Sequence, residues 1–463
     1  MLGRCAAVVT LVAWSAPARG EAPIVSGRTP RAIGRAGVGT VSDDGGGALL
    51  ANPAAIARRS SSRLQLGLAF VDDELYYLAS QHAPAARDQS SSRLVPMVSF
   101  EGAIGDWIVG IAAGTTVRSE RALRRPRDIL PTDYGNAFEY RYTGLAGSIR
   151  RDTLSLAGAY RLTDSVAVGL SLSTSRVAIS ESRRLWAGDV DRVVFGVPRP
   201  DTLGDPAHDV ELGMSAVDNF APTAVAGVLV APVDSRIELG LSASWSAPAR
   251  VRGDVASTGS PQTSFAHADT GGAVARLEVE QPVVVRSGAR WLGDGFAIEV
   301  GGDLYWFPRR AEATSWQMTG VTITDDTTAT APASVELVEL PSRISSRTHG
   351  ALRGALDVEL IEGFLWATAG YAYATAGTPG ARLSPTFGDL GGHTLGLGLE
   401  VTAGGFTLTF GWGRTWSLKE AEPVSRWRLD NPFATGDGPA APGTYDGSTD
   451  MIGVSIDADL DGN

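Results

Sequence analysis

From residue 63 onward the chain repeats one pattern, an apolar side chain at every second position. A period of two puts successive side chains on opposite faces of an extended strand, so each such stretch reads as a β-strand with one apolar face. The clearest case runs from Phe296 to Trp306. Phe296, Ile298, Val300, Leu304 and Trp306 share one face there, while Glu299 and Asp303 share the other. The same alternation recurs at Val166, Val168, Leu170 and Leu172, at Leu395, Leu397, Leu399 and Val401, at Phe406, Leu408, Phe410 and Trp412, and at Ile452, Val454, Ile456 and Leu460.

The connections decide where the apolar face points. Tight turns fall near Gly105-Asp106, Thr163-Asp164, Val233-Asp234, Asp294-Gly295, Glu362-Gly363 and Gly404-Gly405. Between them lie long polar connections, roughly Asp72 to Ser92, Arg118 to Ala137, Glu181 to Asn219, Arg252 to Gly272, Pro308 to Ser346, Thr378 to Gly392 and Ala421 to Ser448. Short and long connections alternate strictly, as in outer-membrane barrels whose short turns are periplasmic and whose long loops are extracellular. The count implies about fourteen strands, an even number that returns both termini to the periplasm. In such a barrel the apolar face meets lipid and the polar face lines the lumen. No later apolar run is long enough for a transmembrane helix, and no linker of biased composition divides the 463 residues into separate cores. The expected fold is therefore all-β: one antiparallel outer-membrane barrel over residues 62–463.

The Asp294-Gly295 hairpin sets a register. An Asp-Gly pair between alternating strands favours a two-residue type I′ turn. With Gly293 opposite Phe296, Arg290 falls opposite Glu299 and Arg286 opposite Asp303, while Trp291 meets Ile298, Val285 meets Leu304 and Val283 meets Trp306. One face is then apolar and the other carries complementary charges. Two lumen ion pairs are expected, Arg290–Glu299 and Arg286–Asp303. Trp291, Trp306, Trp412 and Trp416 lie near strand ends, where tryptophans form an interfacial girdle.

The start of the chain sets the compartment. Arg4 is a short positive region, Cys5 to Trp14 is an apolar stretch too short to span a bilayer, and Ala16-Pro17-Ala18 or Gly20-Glu21-Ala22 offers a cleavage site, so residues 1–22 read as a signal peptide. Cys5 is the only cysteine and would leave with that peptide, which excludes disulfides and thiolate metal sites from the mature protein. The formal net charge of −11 argues against nucleic acid as a partner. The five histidines show no metal-ligand spacing, and no metal or other cofactor is expected. The closely spaced glycines of Gly34 to Gly39 lack the Lys-Ser or Lys-Thr of a phosphate loop. The ending Asp457-x-Asp459-x-Asp461-Gly462 begins like a calcium loop but stops before the acid that would complete one, and reads more simply as the polar face of a last strand. The Arg121 to Arg127 cluster reads as a solvated loop or a site for anionic ligands or the lipopolysaccharide surface.

Between leader and first strand lies Gly34 to Arg59, GRAGVGTVSDDGGGALLANPAAIARR, with the Asp43-Asp44 pair before three glycines and Asn52-Pro53-Ala54 at its close. That order, with the Asn-Pro-Ala step, resembles the N-terminal hatch of the FadL/TodX (OMPP1) family, outer-membrane transporters of long-chain fatty acids and hydrocarbons. Weaker echoes are TLSLAGAYRLTDSVAVGLSL from Thr153, PVVVRSGARWLGDGFAIEVGGDLYW from Pro282, and the stretch from Gly370 through the strand ending at Trp412. The resemblance implies that residues 23–61 plug the barrel, with Asn52, Pro53, Ala54, Asp43 and Asp44 in plugging and gating. It implies that an apolar ligand is caught among the extracellular loops, enters the lumen and leaves sideways through the wall, with no bond hydrolysed. The protein is then no enzyme. Its expected partners are a long-chain fatty acid or hydrocarbon, outer-membrane lipid and lipopolysaccharide, and the barrel-assembly machinery, with a monomer as the working unit. Arg161, Arg286 and Arg290 near the lumen make an acid acceptable, since a buried carboxylate needs donors to replace its water shell. A structural or adhesive surface barrel and a general porin stand as alternatives. The ending lacks the terminal aromatic common to such barrels.

Overall fold

The computed structural model describes residues 29–461, apart from 44, 79–85, 88–91, 124–141, 143, 188–207, 258–265, 326–332 and 423–442. The expected signal peptide, Asp44, His82 and most of the Arg121 to Arg127 cluster lie outside the described residues.

Fourteen antiparallel strands form a closed barrel. In chain order they are β1 (Arg63–Leu78), β2 (Arg93–Ile104), β3 (Trp107–Ala122), β4 (Ala146–Thr163), β5 (Val166–Trp186), β6 (Asp209–Val230), β7 (Ile237–Ser246), β8 (Val283–Gly293), β9 (Phe296–Trp306), β10 (His349–Ile361), β11 (Leu365–Ala374), β12 (Gly392–Ala403), β13 (Phe406–Ser417) and β14 (Gly443–Asp459). Each pairs with its neighbour, and β1 closes on β14 from Arg63↔Asp459 to Leu78↔Thr444. The closure gives each wall strand a partner on both sides, the condition for crossing hydrocarbon. Alternation holds along the wall: on β12, Leu395, Leu397 and Leu399 are exposed outward while Thr394 and Gly396 are buried inward. Trp107, Trp245, Trp291, Trp306 and Trp416 are exposed on the outer surface.

The β8–β9 hairpin keeps the register derived above, from Gly293↔Phe296 to Val283↔Trp306. Its turn differs from the expected form. Type I′ needs positive φ at both central residues, yet Gly295 alone has it, at 74°, and Asp294 does not. The two-residue length, not the mirror-image geometry, sets the pairing. Gly404-Gly405 does place both residues at positive φ, 57° and 80°.

The strands outrun the polar boundaries read from the sequence. β1 continues through Asp72 and Asp73 to Leu78, β5 reaches Trp186, and the connection after β7 holds strands Ala249–Ser257 and Val274–Val279. Above the bilayer water can face either side of a strand, so charges do not end it. These upper strands extend the wall: Ala249–Ser257 pairs with the top of β6 and with Val274–Val279, which pairs in turn with Ser315–Thr319. Between the two tiers the ladder is interrupted. Pairing of β6 with β7 stops at Thr223↔Ser246 and resumes at Val217↔Arg252. Pairing of β7 with β8 stops at Ser244↔Val284, and the tier above begins at Ala249↔Val279. Pro222, Pro248 and Pro282 fall in or beside these gaps, where a missing N–H removes a ladder donor.

Val300 projects from the middle of β9 with 55% of its surface exposed. Val300→Arg should destabilise the barrel by roughly 2–4 kcal/mol, whereas Trp306→Arg at the strand end should cost about 0–1 kcal/mol, because the penalty for a lipid-facing charge depends on depth. Reversible denaturant unfolding in phospholipid vesicles measures both. Similar costs at the two positions would mean that Val300 does not face the hydrocarbon interior.

Candidate functional site

The described residues from 29 to 58 lie inside the barrel, and their short helices follow from capping. Thr29 accepts from the Ala32 N–H at 3.1 Å and Pro30 occupies the first turn of helix α1 (Pro30–Gly34), which ends in left-handed backbone at Ala36 and Gly37. A second single-turn helix, α2 (Ala48–Ala51), leads to Asn52. The Asn52 side chain caps a 3-10 turn, Pro53–Arg58, by accepting from the Ala54 N–H at 3.3 Å. Asn52, Pro53 and Ala54 are all buried. Asn52 Nδ2 also donates to the Thr40 carbonyl at 2.9 Å and to Val228 O of the wall at 3.2 Å, so the residue ties the segment both to itself and to β6. Asp43 accepts from the Gly45 N–H at 3.2 Å. The family resemblance singled out these residues, and this is the local chemistry their types supply.

Two sets of charges hold the segment. Arg35, 1% exposed, reaches Glu299 of β9 at 2.8 Å and Asp357 of β10 at 3.3 Å. Glu299 also accepts from the Val41 N–H at 3.0 Å, and Arg353 donates to the Ala36 carbonyl at 3.1 Å. At the other end Arg58 makes a two-pronged pair with Glu238 of β7, at 2.6 and 2.8 Å, and its Nε donates to Val41 O at 3.1 Å. The forked guanidinium suits such a carboxylate geometrically.

Beside the Arg35 anchor the contact is backbone on backbone. Gly396 and Gly398 of β12 and Gly411 of β13 lie directly beneath α1: a Cβ on Gly396 would stand 2.6 Å from the Gly34 carbonyl oxygen, and one on Gly411 would overlap the Pro30 carbonyl. Gly169 lies against the Pro53-Ala54 backbone in the same way, and Gly227 makes room for the Asn52 side chain and the Pro53 ring. These glycines occupy inward-facing strand positions because a side chain there would displace the segment.

The expected lumen pairs differ in partner from those that form. Arg290 stands opposite Glu299, but its Nη1 lies 3.5 Å from Glu238, since Arg35 and Val41 already use Glu299. Arg286 stands opposite Asp303, but Asp303 pairs with Arg353 at 3.1 Å. Among the described residues Arg286 has no ion pair, and its Nη1 is buried without a hydrogen-bond partner. Arg161, expected near a ligand, sits at the periplasmic end of β4 and donates to Ala57 O at 2.7 Å and to Arg59 O, holding the chain where it leaves the lumen. Asp457 of β14 pairs with Arg63 of β1 at 2.6 Å, which makes that carboxylate part of the wall. Arg121 pairs with Asp73 at 2.8 Å, which makes it a wall residue too.

Above the segment lies a cavity of about 300 Å³. Gly37, Gly39, Thr40, Asp43, Leu50 and Ala51 contribute to its floor. Ile149, Val177, Ile179, Val225, Val279 and Val284 supply an apolar lining, with a band of hydroxyls from Thr153, Ser173, Thr223, Ser244 and Ser246. Arg286 faces it, as does Arg151, whose guanidinium donates to Ser175 Oγ, Gln281 Oε1 and Thr223 Oγ1 at 2.7 to 3.1 Å. Arg151 was not singled out in the sequence, although its place among the inward positions of β4 marks it as a candidate. Nor were Arg35, Arg58, Glu238, Arg353 and Asp357; strand parity places the last three inward, but nothing in the wall sequence names their partners.

A closed barrel with outward apolar faces, a chain segment inside it and a cavity above that segment defines an outer-membrane β-barrel with an occupied lumen. The sequence profile of the outer membrane protein transport protein family (OMPP1/FadL/TodX) matches residues 9–297, and the chain belongs to that family. A FadL homologue of Pseudomonas aeruginosa superimposes with a TM-score of 0.70 at 15% identity, covering 96% of this chain and 100% of that one. The toluene transporter TodX of P. putida gives 0.65 at 13%, covering 95% and 99%, and the toluene transporter TbuX of Ralstonia pickettii gives 0.60 at 12%, covering 93% and 98%. No curated protein sequence matches the chain.

Removing one member of a buried ion pair costs roughly 3–5 kcal/mol because the other is left uncompensated. Glu299→Ala should therefore loosen residues 35–41 and speed their amide hydrogen exchange at least tenfold, while the β12 and β13 amides keep their protection. Unchanged exchange at Val41 would show that Glu299 does not hold the segment.

Proposed function

We propose that this outer-membrane protein carries hydrophobic molecules through a lumen plugged by its own N-terminal segment, and that it accepts acids among them, long-chain fatty acids or similar amphiphiles, at Arg286. The observation that carries this reading is the cavity: an apolar chamber whose floor is the segment of residues 29–58 and whose wall holds a guanidinium with no carboxylate of its own. An alkyl chain is favoured by the apolar lining, and a carboxylate entering such a place needs a charged donor to replace its lost water.

The floor is the part suited to move. Gly37 to Gly47, apart from Asp44, runs between the two charged anchors, is rich in glycine, and hydrogen-bonds the wall through the Val41 N–H to Glu299 and the Gly46 N–H to Gln65. In this reading a ligand entering from the extracellular side displaces that span, with Arg35 and Arg58 keeping their partners. The proline-marked gap in the wall lies beside the cavity, at Thr223, Ser246, Gln281 and Pro282, and is the favoured place for lateral exit.

Single-channel recording in planar bilayers tests the plug. The intact protein should pass little steady current, and deletion of residues 23–53 should raise it severalfold. Large, steady channels in the intact protein would favour the general porin. Mass spectrometry of lipid co-purified with the barrel tests the ligand class: acids or amphiphiles are expected, and neutral hydrocarbons alone would overturn the choice of acids. If no apolar ligand co-purifies and proteoliposomes show no uptake, the structural or adhesive barrel becomes the better account.

A further inference from the structure

The cavity carries a second recognition element that an alkyl chain does not need. Tyr305 and Phe307 follow one another on the inward face of β9 and its extension, and His349 of β10 stands opposite Tyr305. The Tyr305 and His349 rings stack face to face, with centroids 4.6 Å apart at 7°, and Phe307 adds a third ring 6.0 Å from His349 at 22°. All three line the cavity. His349 Nδ1 lies 3.0 Å from the Arg347 carbonyl, which can only accept; Nδ1 therefore carries a hydrogen and fixes the ring plane.

Arg286 stands beside this stack. It is opposite Asp303, and Tyr305 is two residues further along β9, so Arg286 and Tyr305 are diagonal cross-strand neighbours at roughly 7 Å between Cβ atoms. The Asp303 carboxylate is already engaged by Arg353 at 3.1 Å and by the Tyr305 hydroxyl at 3.3 Å, which leaves the Arg286 charge to the cavity. We infer that this corner binds an aromatic carboxylate: the arene extends the Tyr305–His349–Phe307 stack while its acid group meets the Arg286 guanidinium. Offset stacking rewards a flat ring specifically, and the short step from stack to guanidinium suits an arene with a short acidic arm better than a straight alkyl acid. Arg151, held higher in the cavity by three neutral acceptors, is not required.

The inference rests on the transport reading above and narrows its substrate. Isothermal titration of the full-length barrel in detergent with 4-phenylbutyrate, decanoate and butylbenzene tests it. The phenyl acid should bind at least tenfold more tightly than either of the others. Arg286→Gln should weaken both acids about tenfold and leave butylbenzene unchanged. Tyr305→Leu combined with Phe307→Leu should weaken phenylbutyrate at least tenfold and decanoate less than twofold. These two positions keep His349 and its carbonyl hydrogen bond intact, and heat-modifiable gel migration verifies that the variants remain folded. If decanoate binds as well as the phenyl acid, or if the leucine variant loses both acids equally, the rings are structural and the inference fails while the transport reading stands. If the native barrel binds none of the three ligands, the transport reading itself fails.

Discussion

A strand crossing hydrocarbon has only another strand to take its backbone hydrogen bonds, and each group left unpaired there costs several kcal/mol. In this protein the requirement is met around a ring of fourteen strands that ends where it began, with Arg63 of β1 opposite Asp459 of β14. Ring closure turns every second residue inward. The polar and charged residues that cannot face lipid are thereby collected in one interior, and what fills that interior is the next problem the chain must solve.

Much of it is filled by residues 29–58. Arg35 and Glu299 are each 1% exposed and lie 2.8 Å apart, a separation at which the pair is favourable only if both partners are fully engaged. Glu299 also takes the Val41 N–H, and a second charge, Asp357, lies 3.3 Å from Arg35, although Arg35 Nε and Nη1 make no hydrogen bond among the described residues. Two buried charges of the wall therefore depend on a chain segment that is not part of the wall. The inward glycines of β12 and β13 complete the fit by letting the helix backbone touch the strand backbone.

The wall was largely legible in the sequence because a membrane barrel is specified locally. Alternation fixes which face meets lipid, and a two-residue turn fixes register, so Arg290 could be set opposite Glu299 from the sequence alone. Pairing inside the lumen is different in kind. Glu299 finds Arg35 across 264 residues of chain, and the register that makes Arg290 its neighbour says nothing about a third partner arriving from the interior. The same limit hid the release of Arg286, which follows from Arg353 taking Asp303, a choice made one strand further on. Strand ends above the bilayer were misjudged for a simpler reason: polarity marks the edge of the hydrocarbon and not the end of a strand, as Asp72 and Asp73 within β1 show.

The distribution of these contacts bears on how a filled lumen can still pass a ligand. The strong contacts lie at the two ends of the segment, at Arg35 and at Arg58, where each guanidinium meets a wall carboxylate. The span between them, which floors the cavity, is held by single hydrogen bonds such as Val41 N–H to Glu299 and Gly46 N–H to Gln65, each worth about 0.5–1.5 kcal/mol net, and by the packing of Val41, Ala48 and Leu49 in one buried cluster with Ile108 and Ala157 of the wall. Breaking an end would strand a buried charge, whereas shifting the middle exchanges a few hydrogen bonds and apolar contacts for contacts with a ligand or water. In the transport reading proposed above, the route that strands no buried charge runs past the glycine-rich middle with both ends in place.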